Sequence, residues 1–498
     1  MKRELSLLLA GFFALLAKAQ DVRWMRLYDG SGTGSADVQG SVATFPDTSY
    51  RTLTIWNQGA NGYFRARSVD DTGDTLYTRV YEKQGAALES GTSRIASRLH
   101  NGNWVWAGGI NPTGAYPTDG FVVGFSALCD TLWTSVVGVD TIHDSFFALC
   151  ATPDSGCCAA GYSGTVASQF YVVRYGPDGD TLWTRRLGDA QRPEVAYSID
   201  TTADGGFILA GYKVQSGGQY DMHVMRTNAT GQLLWQRSYG SPWSDNAGFA
   251  TVLRNGRIAL AGGERASSGT DLRPVLYLLE ANGDEVWSVP DPDPPFFGVY
   301  YAKPIEMDNG DLVVSGGQTT VNGVQVGMLS RLDSTGTLLW KRYYQTTNLP
   351  NYTYDVRRTL DGGFILAGTA FDSALVSQDA WLVKVDSFGC LMPGCQVFDA
   401  ILEQVTDLRN ALRVWPNPVV AGGAVQVDLR LPAGFAARGA LRLALTDAQG
   451  RLVQEETLPQ AVSDFSFPLS AFPPGLYHVH LLDGSRWVSG AKVVVSPP

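Results

Sequence analysis

The feature that most constrains this chain is a repeated unit with two tight-turn signals between strand-like runs. In one copy the signals are Asp204-Gly205-Gly206 and Asn228-Ala229-Thr230-Gly231, each flanked by alternating apolar and polar residues. Gly and Asn supply the positive φ that tight turns need, so each unit reads as four short antiparallel strands. The first turn recurs seven times, at Asp47, Asn101, Asp154, Asp204, Asn255, Asn309 and Asp361.

The two ends of the repeat are incomplete in complementary ways. Where the last fourth strand is due, the chain reads DSFGCLMPGC up to Cys395, and we expect no strand. Asp21–Tyr28 reads as a fourth strand that lacks the first three. An open solenoid would show the same period. We instead predict that this strand joins the sheet containing Trp381 and closes a ring. An aromatic residue follows the second turn in six copies, at Tyr77, Trp133, Trp183, Trp235, Trp287 and Trp340.

Four-stranded units that repeat in a ring are typical of a β-propeller. The prediction is an all-β chain with a seven-bladed β-propeller over residues 20–395, closed by its N-terminal strand. Residues 396–410 read as a linker. About seven short strands then predict a small Ig-like β-sandwich over residues 411–498.

The first 19 residues have the pattern of a secretion signal peptide. Lys2 and Arg3 precede the apolar run Leu5–Leu16, and Ala17-Lys18-Ala19 is a small-x-small cleavage site. The run is too short to span a bilayer comfortably, so we expect an exported chain without a transmembrane segment. The net charge of -10, without a basic stripe, argues against nucleic-acid binding.

Six cysteines in an exported protein suggest disulfide bonds. Cys390 and Cys395 lie close together where the repeat ends, which predicts a local bond. Alignment of the repeats places Cys150 opposite Cys157 across a hairpin and predicts a second bond. Cys129 takes the glycine position of a turn. A free buried thiol is the alternative for each cysteine.

Binding residues are expected on the face that carries the longer connections between strands, because a rigid scaffold holds those loops. We name this the long-loop face. Its aromatic residues and nearby carboxylates could form a rim for a sugar or a peptide; alternatively, the rings fill gaps between blades. The candidates are Trp243, Asp245, Phe296, Phe297, Tyr300, Tyr301 and Tyr352.

No pattern in the sequence selects a catalytic residue, a metal or a cofactor. The histidines lack metal-ligand spacing, and there is no G-x-S-x-G motif. Asp333–Trp340 is similar to the tryptophan-docking repeat of quinoprotein dehydrogenases, but the quinone and calcium ligands have no counterpart. The same text resembles the sialidase Asp-box, with its glycine displaced by one residue. A hairpin turn followed by an interblade tryptophan explains both resemblances.

The C-terminal segment carries three ordered motifs: VWPNP from Val414, LTDAQGRLV from Leu445, and PPGLYHVH from Pro473. In these motifs, residues 411–498 resemble the type A sorting domain of the type IX secretion system. The resemblance implies a Bacteroidetes-type bacterium, export across the inner and outer membranes, and recognition by the secretion machinery. An ordinary Ig-like accessory domain is the alternative. The matching residues are Trp415, Pro416, Asn417, Pro418, Gly450, Gly475, Tyr477 and Lys492.

These observations favour an extracellular or surface-attached propeller that binds a glycan or a protein without catalysis. A carbohydrate-active enzyme, hydrolase or lyase, acting from the long-loop face is the alternative. A quinoprotein-like oxidoreductase is the third hypothesis. Two carboxylates facing each other in an aromatic cleft would favour the enzyme, because glycosidases use such a pair.

Overall fold

The computed structural model describes strands and turns, and no α-helix occurs within the described ranges. No described segment forms a helix with the length and hydrophobicity that crossing a bilayer requires. The predicted signal peptide lies outside the described residues. These are 23–28, 40–91, 94–112, 117–139, 141–269, 272–292, 300–319, 323–346, 349–371, 378–391, 395, 402–404, 412–431, 440–448, 450–458, 464–468, 472–483 and 486–497.

Over the described part of the propeller region, the strands form seven separate antiparallel sheets, as the repeat predicts. We number these blades 1 to 7 along the chain. Blade 1 contains β2 (Val42–Thr44), β3 (Tyr50–Gln58), β4 (Asn61–Val69) and β5 (Thr75–Lys83). Blade 2 contains β6 (Ala86–Glu89), β7 (Ala96–Arg98), β8 (Trp104–Pro112), β9 (Asp119–Phe125) and β10 (Thr131–Val137). Blade 3 contains β11 (Asp144–Ala151), β12 (Cys157–Ser163), β13 (Gln169–Tyr175) and β14 (Thr181–Leu187).

The remaining blades repeat this order, and the short strand β31 (Leu402–Gln404) adds in parallel to the outer edge of blade 6. Blade 4 contains β15 (Glu194–Thr201), β16 (Phe207–Val214), β17 (Tyr220–Thr227) and β18 (Leu233–Tyr239), and blade 5 contains β19 (Phe249–Val252), β20 (Ile258–Arg265), β21 (Leu272–Leu279) and β22 (Glu285–Pro290). Blade 6 contains β23 (Tyr300–Tyr301), β24 (Ile305–Glu306), β25 (Leu312–Thr319), β26 (Gln325–Leu332) and β27 (Leu338–Gln345). Blade 7 contains β28 (Asn351–Arg358), β29 (Phe364–Phe371) and β30 (Gln378–Val385).

The predicted ring closure is confirmed. Strand β1 (Trp24–Tyr28) pairs antiparallel with β30, and Leu27 lies opposite Trp381. The N-terminal strand is thus the fourth strand of blade 7, in a sheet whose other three strands come from the far end of the propeller. Because blade 7 contains both ends of the ring, backbone hydrogen bonds seal the seam.

The aromatic residue of each outer strand packs on the turn that follows the third strand of the next blade. The turn glycines have positive φ, and a Cβ added to them would lie within 3.3 Å of the ring. In blade 2 Cys129 takes the glycine position with φ 65°, as predicted, and Tyr81 donates to its carbonyl. The six ring–glycine pairs are Trp24/Gly73, Trp133/Gly179, Trp183/Gly231, Trp235/Gly283, Trp287/Gly336 and Trp340/Gly389.

The prediction for one cysteine pair is confirmed and for the other is wrong. Cys390 and Cys395 form a disulfide bond. Cys150 and Cys157 are free and buried, and Cys150 lies opposite Cys158 instead. The hairpin turn closes with a hydrogen bond from Thr152 N to Gly156 O, and this five-residue turn sets a register one residue away from the predicted one.

The C-terminal region is a two-sheet sandwich around one apolar core. Leu412, Val427, Leu445 and Val479 are among the buried residues between the sheets. Its first sheet contains β32 (Leu412–Trp415), β34 (Ala424–Leu429) and β37 (Asp464–Pro468); its second contains β33 (Val419–Val420), β39 (Arg486–Ser496), β38 (Gly475–Asp483), β35 (Leu441–Asp447) and β36 (Leu452–Thr457).

Candidate functional site: a tyrosine-lined basin on the propeller axis

A cavity of about 390 Å³ opens on the long-loop face. Its walls come from the inner strands and adjoining loops of blades 4 to 7 and, in blade 4, also from the second and third strands. Four consecutive blades can share one cavity only near the axis of the ring. We name this cavity the tyrosine basin. It is lined by Tyr197, Tyr212, Tyr220, Asp245, Asn246, Ala247, Phe249, Tyr300, Ala302 and Tyr354.

β-Bulges place two of these tyrosines in the basin. The register between β15 and β16 shifts between Ala196 and Ser198, so Tyr197 is the extra residue of the inner strand. The same shift between Thr353 and Asp355 makes Tyr354 the extra residue of β28. A bulge redirects a side chain that regular alternation would send to a blade face. These rings therefore point to the axis.

The aromatic rings form a continuous series around one side of the basin. Tyr197 stacks on Phe147 at 5.1 Å between centroids and contacts Tyr212 at 6.0 Å. Tyr212 in turn meets the edge of Tyr220 at 5.2 Å. On the other side Tyr197 meets Phe249 at 6.1 Å. Rings that support one another in this way are held in place before any ligand arrives.

Three of the lining tyrosine hydroxyls remain available as hydrogen-bond donors. Burial raises the pKa of Tyr197 to about 12, with smaller contributions from Tyr212 and Tyr162, and burial also raises the pKa of Tyr212. Both phenols are therefore protonated at neutral pH. Tyr300 donates to Thr353 O at 3.2 Å. The hydroxyls of Tyr197, Tyr212 and Tyr220 have no hydrogen-bond partner among the described residues.

Asp245 is the single carboxylate among the described lining residues, and it braces its own loop. It accepts hydrogen bonds from Ser241 N at 2.6 Å and from Arg265 N at 2.9 Å. In blades 3 and 4, a carboxylate likewise accepts a hydrogen bond from a backbone N–H of the loop before it: Glu194 accepts from Asp189 N, and Asp144 accepts from Val139 N. Burial raises the pKa of Asp245 despite these bonds.

The other sequence-predicted residues fall in different places. Trp243 is 42% exposed on the long-loop face but does not line the basin. Tyr301 is buried and donates to Asp291. Tyr352 is half-buried and stacks on Tyr354 at 6.1 Å. Phe296 and Phe297 lie outside the described residues. Of the seven candidates, the structure places Asp245 and Tyr300 in the basin wall.

Most of the aromatic basin residues were not predicted from the sequence, namely Tyr197, Tyr212, Tyr220, Phe249 and Tyr354. A signal for them exists in the repeat. The inner strands of blades 3, 4 and 7 begin DSFF, EVAY and NYTY, and NAGF leads into the inner strand of blade 5; each of these segments has an aromatic residue in the fourth position. These fourth residues are Phe147, Tyr197, Phe249 and Tyr354.

In the C-terminal sandwich, the predicted sorting residues form a compact surface feature. Asn417 joins the opening segment to the last strand, donating to Lys492 O at 2.6 Å and accepting from Val494 N at 2.9 Å. The peptide bonds that precede Pro416 and Pro418 are cis. Trp415 is 46% exposed beside them. The exposed indole therefore lies next to the segment that Asn417 joins to the last strand.

Three other predicted sorting residues support the turns of the same domain. Gly450 has φ 79° and closes the Asp447–Gly450 turn with a 2.9 Å backbone hydrogen bond. Gly475 begins β38, and Tyr477 on that strand is buried and donates to Pro473 O at 2.9 Å.

Residues 413–496 match the family model described as "Secretion system C-terminal sorting domain". This match supports the predicted type IX cargo assignment and contact with the secretion machinery. The sorting domain indicates that the chain is secreted across the outer membrane, to the cell surface or the extracellular space. A search of curated proteins finds no match to the chain.

The solved structures that resemble the chain do so distantly. An ulvan lyase of polysaccharide lyase family PL25, bound to -[GlcA(1-4)Rha3S]-, is 10% identical with a TM-score of 0.47, over 74% of this chain and 97% of that chain. An endo-arabinase from Bacteroides thetaiotaomicron is 11% identical with a TM-score of 0.30, over 46% and 89%. These values are too low to carry an argument, so the propeller assignment depends on the strand pairing described above.

Proposed function

We propose that this exported propeller is a glycan-binding protein whose ligand sits in the tyrosine basin. The proposed mature chain consists of the propeller, the linker and the sorting domain, with the bounds 20–395, 396–410 and 411–498. The observation that carries the proposal is the basin itself: five tyrosines and a phenylalanine converge on one cavity of about 390 Å³. This volume falls in the range of small-ligand sites, roughly 300–1,000 Å³.

The chemistry of the wall suits a sugar. An aromatic ring offers a flat apolar face to the C–H side of a pyranose, while phenol hydroxyls at its edge donate hydrogen bonds to sugar hydroxyls. Tyr197, Tyr212 and Tyr220 provide both groups, and their contacts with one another fix their positions. Little side-chain freedom remains to be lost on binding, which favours affinity.

A carbohydrate-active enzyme is the second candidate, and the raised pKa of Asp245 favours it, since a general acid needs a raised pKa. The described lining residues, however, supply one carboxylate where glycoside hydrolysis uses two. The hydrogen bonds of Asp245 to Ser241 and Arg265 further suggest a structural role. Binding without catalysis is therefore the better-supported function.

The test is glycan binding by the purified mature protein, first on a panel of neutral and acidic oligosaccharides and then by calorimetry on the best ligand. We expect Tyr212→Ala to weaken binding by about tenfold or more, as for a central aromatic contact. Tyr212→Phe keeps the ring and removes the hydroxyl, so its intermediate loss would separate stacking from hydrogen bonding.

Trp243→Ala is the matched control, because Trp243 is an exposed aromatic residue on the same face outside the basin. Its affinity should equal that of the wild type. Loss of binding in Trp243→Ala with full binding in Tyr212→Ala would place the site elsewhere. Shortening of the bound oligosaccharide during incubation would favour the enzyme.

A further inference from the structure

Five charged side chains meet inside the propeller ring, one level below the basin. Lys303 follows the lining residue Ala302, and Asp355 follows the lining residue Tyr354. Each of these two residues is thus one step further along the inner edge of its blade, about 3.3 Å deeper in the channel if the chain is extended there. Asp200 on β15, Arg94 before β7 and Arg357 on β28 complete the group.

The hydrogen bonds of this group connect blades that are not neighbours. Lys303 Nζ of blade 6 donates to Ile199 O of blade 4 at 2.6 Å, passing blade 5. Arg94 Nε of blade 2 donates to Asp355 Oδ1 of blade 7 at 3.1 Å. Blades that are two apart can meet in this way only at the axis. The five residues therefore occupy the central channel.

Asp355 is saturated with partners. Its carboxylate accepts from Arg94, from Arg357 Nε at 3.1 Å and from Ser41 Oγ at 2.7 Å. Lys303 is not saturated. Its side chain is 2% exposed, and Asp200 Oδ2 is 3.6 Å away, beyond hydrogen-bond distance. The two remaining ammonium protons have no hydrogen-bond partner among the described residues.

The described charges of the channel group do not cancel. Three cations, Arg94, Lys303 and Arg357, face two anions, Asp200 and Asp355, which leaves an excess of one positive charge. Burial first, and then Arg94 and Arg357, lower the pKa of Lys303 to about 8, in spite of Asp200. A buried cation with unused donors is costly unless a counter-ion or a ligand meets it.

We propose that the channel contains an anion-binding site in which Lys303, assisted by Arg94 and Arg357, receives a carboxylate or sulfate group. Two sources have this chemistry. One is an acidic sugar of the glycan in the basin, and this source rests on the proposed function. The other is a free inorganic anion that would fill the channel without any glycan.

The first arm of the test compares an oligogalacturonate with its methyl ester, which has the same backbone without the charge. If the glycan carries the anion, wild-type protein binds the acid about tenfold more tightly than the ester. Lys303→Met abolishes this preference, whereas Arg237→Gln retains it. Arg237 is an exposed residue of β18, so this control removes one positive charge outside the channel.

The second arm measures thermal unfolding with increasing sulfate at constant ionic strength, without glycan. If a free anion fills the site, sulfate stabilises the wild type and Arg237→Gln more than Lys303→Met. An equal response of Lys303→Met and the wild type in both arms overturns the proposal. If no glycan binds at all, the proposed function fails, while the sulfate arm still decides the anion site.

Measuring anion binding by the wild-type protein as a function of pH tests the site without a variant that could misfold. The charged and titratable groups facing Lys303 are Asp200, Arg94, Cys150 and Arg357. Burial raises the pKa of Cys150, and Arg357 stays charged, since its pKa is lowered only to about 10. Anion binding should therefore weaken as the pH rises through about 8. A constant affinity from pH 7 to pH 9, roughly one unit on either side, contradicts the assignment.

Discussion

The indole of Trp24 lies directly on Gly73, so that a Cβ at Gly73 would approach the ring to 2.7 Å. Trp24 belongs to the strand that completes blade 7, and Gly73 to a turn of blade 1. Trp24 Nε1 also donates to Asp71 O at 2.7 Å. The same contact recurs between other blades of the ring, so the seam is packed like an ordinary blade boundary.

Removal of the Trp24 side chain from the closing strand should therefore destabilise the whole propeller. We expect Trp24→Ala to lower the free energy of unfolding by about 3–5 kcal/mol, the usual cost of removing a buried aromatic side chain. Chemical denaturation measures this value. Leu27→Ala, at a residue of the same strand that is 38% exposed, is the control and should cost far less. Equal losses in the two variants would contradict the closure.

A second connection across the seam lies on the axis. Asp355 is fully buried, and Arg357 and Arg94 hold its pKa below the usual range although burial alone would raise it. Replacing it with Asn leaves two guanidinium groups without a counter-charge. We expect a loss of about 3–5 kcal/mol in unfolding free energy, as when one partner of a buried ion pair is removed. Asp284→Asn, in an exposed pair with Arg237, should change stability little.

The cysteines should divide into two chemical classes. Four thiols are buried, and burial raises the pKa of Cys129 and of Cys157 to about 12. A thiol reagent should thus find no reactive group in the native protein and four after denaturation without reductant. A count of six, or rapid labelling of the native protein, would contradict the assigned disulfide or the burial.

Acid should destabilise the propeller through His223. This side chain is buried between Ser238 and Gln236, and burial lowers its pKa to about 4. The pKa of an unfolded histidine is about 6.5, so the unfolded chain binds more protons than the folded chain between these two pKa values. Stability contributed by the neutral imidazole is complete above about pH 6.5 and is lost as the pH falls towards 4.

The measurement is the urea midpoint at pH 7 and at pH 5. His223→Gln should reduce the difference between the two midpoints, because glutamine does not titrate. His100→Gln, at an exposed histidine of a tight turn, should leave the difference unchanged. An unchanged difference in His223→Gln would show that another group causes the acid sensitivity.

Local patterns predicted the architecture well. The blades and the closing strand follow from turn residues, alternation and period, all of which are readable over short stretches. The disulfide between Cys390 and Cys395 was predictable because few residues separate its partners. The Cys150 pairing failed because the turn is one residue longer than the prediction assumed, and such a change alters every opposite pair in a hairpin.

The basin and the channel charges could not be read in the same way. Tyr197 and Tyr354 face the axis because of bulges, which depend on the pairing of whole strands rather than on residue type. Lys303 and Ile199 are 104 residues apart, and the circular arrangement of the blades brings them together. The sequence prediction considered aromatic residues of the long loops. It therefore named Trp243 and missed the tyrosines of the inner strands.

The central claim is that the tyrosine basin binds a glycan, and the most direct measurement is the affinity of Tyr212→Ala for the best ligand of the wild type. The account predicts a loss of about tenfold or more, with an unchanged thermal midpoint and unchanged affinity in Trp243→Ala. Wild-type affinity in a folded Tyr212→Ala protein would contradict it.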